Sequence, residues 1–283
     1  MSKFSKMLRS PVTTVVAFAL AAVLLLYAGI GTARAAFLAR SEYYATQIQM
    51  YNIGVSLLEN DKIVSYRDYD SSLADGTWDE NVPGNLLSEM VAKDDNGNPT
   101  EEIVLKKQYE EKLKVRNTGR NAGNGNEGIN EFVRVSIYKY WLDKDGKKMT
   151  ELSPSLINLT LAGQDLYDET IDSYADGAWV KDKNSTTDER VVLYYTSLLY
   201  NKSEDGATET PLFADAISID NMIAKSVTQT TTGNKIVTTY DYDGVQFCLE
   251  AHVDAVQEHN AQDAITSAWG RNVSISGTTL SLS

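Results

Sequence analysis

Two stretches of this chain alternate with a strict period of two. In Glu131–Trp141, Val133, Val135 and Ile137 fall on one side, and Phe132, Arg134, Ser136 and Tyr138 on the other. In Val245–Ala255, Val245, Phe247, Leu249, Ala251 and Val253 alternate with Gln246, Cys248, Glu250, His252 and Asp254. A helix would scatter such residues around its axis. A strand sends neighbours to opposite faces and gives each run one apolar face to bury. Enrichment in β-branched and aromatic residues points the same way. These runs commit the chain to sheets, and to a second layer that covers their apolar faces.

Weaker runs extend the pattern. Tyr51, Ile53, Val55 and Leu57 alternate, as do Glu111, Leu113 and Val115, and Val191–Tyr200 reads as a further strand. Thr232-Gly233-Asn234 separates two threonine-rich strands, Ser226–Thr231 and Lys235–Tyr240, and Asp243-Gly244 leads into the Val245 run. Asp-Gly supplies the positive φ of a tight hairpin, so Ser226–Ala255 is expected to form a three-strand meander. Helical signals are few. One is Leu86–Ala92, with Asn85 as N-cap; the other is Asn260–Trp269, with Asn260 as N-cap and Gly270 just past its end. Many strands and few helices imply a mainly β fold, a sandwich or barrel. With 283 residues the chain can bury a sizeable core, and no Pro- or Ser-rich linker divides it.

The N-terminus is different. Positions 10–33 carry no charge and are mostly Val, Ala, Leu, Phe and Ile, with Lys3, Lys6 and Arg9 before them. Such a segment can cross a bilayer as a helix over about residues 12–33, with its basic end in the cytoplasm. Ala33-Arg34-Ala35 fits the small-x-small rule for signal peptidase, with the cut after Ala35 or after Ala36. Residues 1–36 are therefore a cleaved signal peptide or a retained signal anchor, and 37–283 form a single extracellular domain. Removing residues 1–36 takes away four cations and no acid, so the net charge goes from −13 to −17. That surface is soluble, self-repelling and unsuited to anionic lipid headgroups.

Composition excludes several chemistries. With 26 Lys+Arg against 39 Asp+Glu and no basic stripe, nucleic acid is not the partner. Cys248 is the single cysteine, so an internal disulfide and multi-cysteine metal sites are ruled out. The two histidines, His252 and His259, make no H-E-x-x-H motif, and a three-histidine site is impossible. On one strand face His252 lies about 13 Å from Cys248, too far to serve as its base. We assign no catalytic residue, no metal ligand and no cofactor.

Other motifs read as packing and turns. Gly123-Asn124-Gly125-Asn126-Glu127-Gly128 matches G-x-G-x-x-G, but a β run follows where a phosphate-binding helix is needed. Asp143-Lys144-Asp145-Gly146, Asp94-Asp95-Asn96-Gly97 and Asp241-Tyr242-Asp243-Gly244 are fragments of calcium loops that hairpin turns explain. Ser72–Trp78 and Ser173–Trp179 echo one another as Asp-Gly turns, each followed by a packing Trp. Trp141, Trp269 and the 16 tyrosines suit core and cross-strand packing better than a glycan platform.

Several segments together resemble the TasA/camelysin family, exported proteins of Gram-positive bacteria with a SipW-type signal peptide. Gly29–Phe37 is similar to the family's processing region, and Tyr51–Leu57 to its first strand. Lys114–Gly119 with Phe132–Val135 resembles its V-x-N-x-G and V-R-V strand pair. Tyr194-Tyr195 with Thr210–Phe213 resembles its YY and T-x-x-L-F segment, and Val256-Gln257 with Ala268–Gly270 its ending. The chain differs in a longer signal and in insertions at about 59–105 and 142–190. The resemblance implies a jelly-roll-like antiparallel β-sandwich. It also implies fibres of the biofilm matrix, in which the mature N-terminal segment pairs into the next subunit's sheet. Phe37, Tyr43, Thr46 and Ile48 then belong to the donor strand.

The expected function is thus that of a non-enzymatic structural protein of the cell surface or matrix, with other copies of itself or other surface proteins as partners. The alternatives are a membrane-anchored surface binding module and a camelysin-like extracellular metalloprotease.

Overall fold

The computed structural model describes residues 53–70, 77–81, 86–87, 103–119, 128–225, 227–232, 235–240 and 245–283. In chain order the strands are β1 (Gly54–Glu59), β2 (Lys62–Asp70), β3 (Thr77–Asn81), β4 (Tyr109–Asn117), β5 (Glu131–Leu142), β6 (Lys148–Met149), β7 (Ile157–Leu161), β8 (Gln164–Asp165), β9 (Ser173–Tyr174), β10 (Trp179–Lys181), β11 (Arg190–Tyr195), β12 (Ala214–Ile219), β13 (Val227–Thr232), β14 (Lys235–Tyr240), β15 (Gln246–Gln257), β16 (Val273–Ser276) and β17 (Thr279–Leu282). One α-helix among the described residues, α1 (Ala261–Trp269), lies between β15 and β16.

Two antiparallel sheets carry the molecule. The first runs β3-β2-β1-β4-β12-β7-β8; the second runs β15-β5-β11-β10-β9, with β6 on β5. Their apolar faces share one core. Val55, Leu57, Leu113 and Val115 come to it from the first sheet, and Val133, Val135, Ile137, Val191 and Leu193 from the second. Each such side chain, once buried, contributes about 1.5–3 kcal/mol. The mainly β, sandwich-like fold expected from the alternation is what forms. The other face of the second sheet is half covered. Phe132, Val192, Tyr194 and Val256 pack there with Ala261 and Ile265 of α1 and with Val273 and Leu280 of the β16–β17 hairpin.

The expected meander does not form. β15 pairs with β5 over its whole length, from Gln246↔Leu142 to Gln257↔Glu131, while β14 pairs with β13 alone. Pairing with β5 takes one edge of β15, and residues 241–244, which carry the Asp-Gly turn signal, lie outside the described residues. Other boundaries also shift. The Val191–Tyr200 strand ends at Tyr195, beyond which Ser197 and Leu199 make isolated bridges. Asn260 stands at the N-cap of α1, but its backbone is left-handed and its side chain caps nothing; Gly270, at φ 66°, ends the helix as expected. Of the helix expected at 86–92, Leu86 and Leu87 form a turn and the remainder lies outside the described residues.

The turn readings fare well. Asp143 Oδ1 accepts from Asp145 N at 2.9 Å and Lys147 N at 2.8 Å, and Gly146 takes φ 75°, as the β5–β6 turn requires. The other two calcium-like fragments, at 94–97 and 241–244, lie outside the described residues. Ala175, Asp176 and Gly177 all have positive φ and turn the chain from β9 into β10, where Trp179 is fully buried. The element that follows the Gly-rich motif is β5, not a helix, and residues 123–127 of the motif lie outside the described residues. At its end Gly128 lies so close to Gly119 that a Cβ would sit 2.5 Å from the Gly119 oxygen. The segment 142–190 supplies β6–β10 to both sheets and buries Leu166, Tyr174 and Trp179 in the shared core.

Candidate functional site

Hydrogen-bond phase identifies the site. Glu258 N donates to Asn130 O at 3.0 Å, continuing the β15–β5 ladder by one pair. Antiparallel pairs alternate between hydrogen-bonded and non-hydrogen-bonded, so the even-numbered residues of β15 bond to β5. The odd-numbered ones direct their N–H and C=O groups away from it. On the far side of β5, Lys139 N donates to Glu189 O and Glu131 N to Leu199 O, which fits the same phase. Among the described residues β15 has no second neighbour. Among the described residues, Phe247, Leu249, Ala251, Val253, Ala255 and Gln257 therefore present a free row of backbone donors and acceptors.

A cleft follows this row. β15 lies against β1, while β2 and β3 extend the first sheet beyond it. Between β15 and β2 opens a space of about 420 Å³ lined by Val55, Leu57, Tyr66, Ala251 and His252. A second, of about 290 Å³, adjoins it and shares Val55 and Val253; Arg134 and Trp269 line its far end. Arg134 is held there by Asp254, with Nε 3.0 Å from Oδ2, and lies 4.9 Å over the Trp269 ring. Tyr194 meets that ring edge-on at 5.6 Å. Apolar Val55, Leu57 and Val253 share the cleft with polar Ser65, Arg67 and Asp254, and one wall is a strand edge that is unpaired among the described residues.

The inner face of the first sheet also carries a carboxyl pair. Glu59 and Glu111 are 4% and 1% exposed. Burial pushes the Glu111 carboxyl up to about 9, helped by the charge of Glu59 and the hydrogen bond between them. Leu87 N donates to Glu59 Oε1 at 2.6 Å.

The opposite border of the second sheet is closed. Lys181, 4% exposed, donates from Nζ to Leu166 O at 3.1 Å, Asp168 O at 2.5 Å and Tyr174 Oη at 3.1 Å. Tyr174 Oη in turn donates to Leu166 O at 3.0 Å. Lys139, also buried, donates to Ile157 O at 2.7 Å, and burial lowers its ammonium to about 8. These contacts tie the second sheet to the β7–β8 segment of the first.

Ala33, Ala35 and Ala36, the donor-strand residues Phe37, Tyr43, Thr46 and Ile48, and the apolar segment 12–33 all lie outside the described residues. Among the described residues no helix is long and apolar enough to cross a membrane. Nor do three His, Cys, Asp or Glu side chains gather there as metal ligands would. Cys248 Sγ lies 3.9 Å from Glu250 Oε1, and His252 Nε2 lies 3.5 Å from Glu250 Oε2, so a carboxylate stands beside both. Burial pushes the Cys248 thiol up, which keeps it protonated. Trp141 and Trp179 are core residues whose indoles donate to Ser153 O and Pro211 O. The alternation of β15 was plain in the sequence, but the β2 side of the cleft was not. It exists only because β2 and β3 extend past β15, a matter of sheet order. No protein-family model, curated protein or solved structure matches the chain.

Proposed function

We propose that the protein is an exported structural subunit of the bacterial cell surface or matrix, and that it self-associates by strand addition. The sandwich in this reading has jelly-roll connectivity. Its N-terminal apolar helix brings it to the membrane, and processing near Ala35–Ala36 frees the segment Phe37–Gln49. That segment enters the cleft of another copy and pairs with the free row of β15. The observation that carries the reading is this row, six residues whose backbone has no partner among the described residues, beside a cleft of mixed polar and apolar lining. Unpaired edges of that length are templates for an added strand. Backbone hydrogen bonds supply affinity in such a pairing, and alternate side chains in the cleft supply register. The reading includes no catalytic step.

The test is light scattering of the chain beginning at Phe37 against the chain beginning at Gln49. The longer chain is expected to assemble, faster with added salt because its negative charge is then screened. Proline at Thr46 and Ile48 should block assembly by removing backbone donors. Equal assembly by both chains, or none by either across salt and pH, overturns the reading.

A further inference from the structure

The cleft beside β15 is not uniform along its length. Val55 stands opposite Arg67 in the β1–β2 ladder, and Leu57 opposite Ser65. Directly opposed residues share a face, so Arg67 and Ser65 continue the inner face of the first sheet past Val55 and Leu57. Leu57, Ser65 and Ala251 line only the space of about 420 Å³, and Ala255 and Trp269 only the space of about 290 Å³. Val55, Arg67 and Val253 line both. Three successive positions of the free row therefore offer three environments. A side chain opposite Ala251 enters the larger space beside Leu57. One opposite Val253 meets the Arg67 guanidinium. One opposite Ala255 comes to Trp269 and Asp254.

Resting on the strand-acceptor reading above, we propose that this cleft selects one register of the incoming strand. Glu42 of one copy lies beside Arg67 of the next, and Tyr44, two residues on, fills the larger space. The free row is odd-numbered, and its Leu249, Ala251 and Val253 side chains pack toward the shared core. An antiparallel strand bonded to that row sets one residue opposite each of them, with its side chain on the same inner face.

Charge and length agree on the register. Phe37–Gln49 contains a single acid, Glu42. With Glu42 opposite Val253, antiparallel pairing brings Tyr44 opposite Ala251. Parallel pairing brings Arg40 there instead, into a space that Arg67 also lines. Like charges that meet at an interface are costly, so the antiparallel direction is selected. A slip of two residues one way moves Glu42 to Ala255, beside the carboxylate of Asp254, which Arg134 already holds. The opposite slip sets Arg40 against Arg67. In the selected register Leu38 stands opposite Gln257 and Ile48 opposite Phe247. The stretch 38–48 thus covers the free row from end to end, and the N-terminus left by a cut after Ala36 falls just beyond it.

Assembly of the exported chain, followed by light scattering, tests the charge pair. Arg67 is exposed, so its replacement leaves the core alone. Arg67→Glu and Glu42→Arg are each expected to slow assembly at least about 10-fold, and the two together to restore most of the rate. Disulfide trapping tests the register without altering charge. In a Cys248→Ser background, chains carrying Tyr44→Cys are mixed with chains carrying Ala251→Cys under oxidised glutathione. The Cα atoms of a hydrogen-bonded antiparallel pair are about 5.5 Å apart, a spacing a disulfide accepts. Mass spectrometry should find the mixed dimer forming at least about 10-fold faster than with Tyr43→Cys, which falls on the opposite face. Undiminished assembly of both charge variants, no recovery in the double variant, or equal trapping with Tyr43→Cys overturns the register while the strand-acceptor reading stands. If the unaltered exported chain does not assemble, that reading fails and the register falls with it.

Discussion

The two borders of the second sheet are built on opposite plans. At one border, β9 is two residues long, Tyr174 is fully buried, and the Lys181 ammonium is bonded to two carbonyls and a phenol. At the other, β15 runs for twelve residues beside an open cleft. Sheet proteins usually shorten or cover their edges, because an exposed row of backbone groups invites pairing with another chain. Here one edge strand is two residues long, and the other, twelve residues long, has no second neighbour among the described residues. The contrast is between a border kept short and one that, among the described residues, is long and unpaired.

The strongest way to break the contrast is to remove the sheet that contains both borders. Val135→Asp places an unpaired charge in the shared core and should cost about 4 kcal/mol or more. Circular dichroism of the purified exported chain should then show loss of the β signal. A folded Val135→Asp protein would contradict the packing. Next in size, Lys181→Met keeps the length of the side chain but removes the donor shared by Leu166 O, Asp168 O and Tyr174 Oη. A loss of about 2–4 kcal/mol is expected in thermal or urea unfolding, with strand addition at β15 unchanged. If Lys181→Met instead altered association and spared stability, the closed border would have been misassigned.

A third test probes the first sheet beneath β15. The Glu111 carboxyl titrates near 4.5 when unfolded and is pushed up to about 9 in the fold. Between those values the folded state holds the extra proton. Its stabilising contribution is therefore complete below about 4.5 and is lost as pH rises toward 9. Glu111→Gln should flatten that decline and gain roughly 1–3 kcal/mol at pH 8–9, read by urea unfolding across pH. The smallest effect on stability, and the sharpest on the contrast, belongs to Ala251→Pro. Its N–H belongs to the free row and not to the β5 ladder, so stability should change by less than about 1 kcal/mol. Binding of an added strand should nevertheless fall, because one donor is gone. A large loss of stability would show that the row is not free.

Much of this was legible in the residues. Period-two runs identified β5 and β15, and turn residues placed the β9–β10 and β5–β6 connections correctly. Gly270 marked the end of α1. What the residues concealed was partner choice. Asp243-Gly244 argued for pairing β14 with β15; β15 instead has β5 as its neighbour, a non-local partner that neither strand marks by itself, and β14 pairs with β13 alone. Nothing in the sequence marks the carbonyls of Ile157, Leu166 and Asp168 that surround the Lys139 and Lys181 ammonium groups. The alternation even placed Lys139 and Trp141 in line with Ile137, facing inward, without showing what would satisfy an ammonium there. The cleft was concealed for the same reason as the meander's failure: strand order within a sheet is decided by the assembled core.

The β5–β15 ladder has a mechanical consequence. Its register runs unbroken for twelve residue pairs. Tension applied along the strand axis loads all of these hydrogen bonds together, as a lap joint is loaded in shear. Tension applied across the strands opens them one after another, as a zipper opens. A subunit gripped along β15 would thus transmit pull through its longest and stiffest seam, while the two-residue pairing of β9 with β10 would give way early if the load were carried there. The direction of force, as much as its size, would set how far such a protein stretches before it tears.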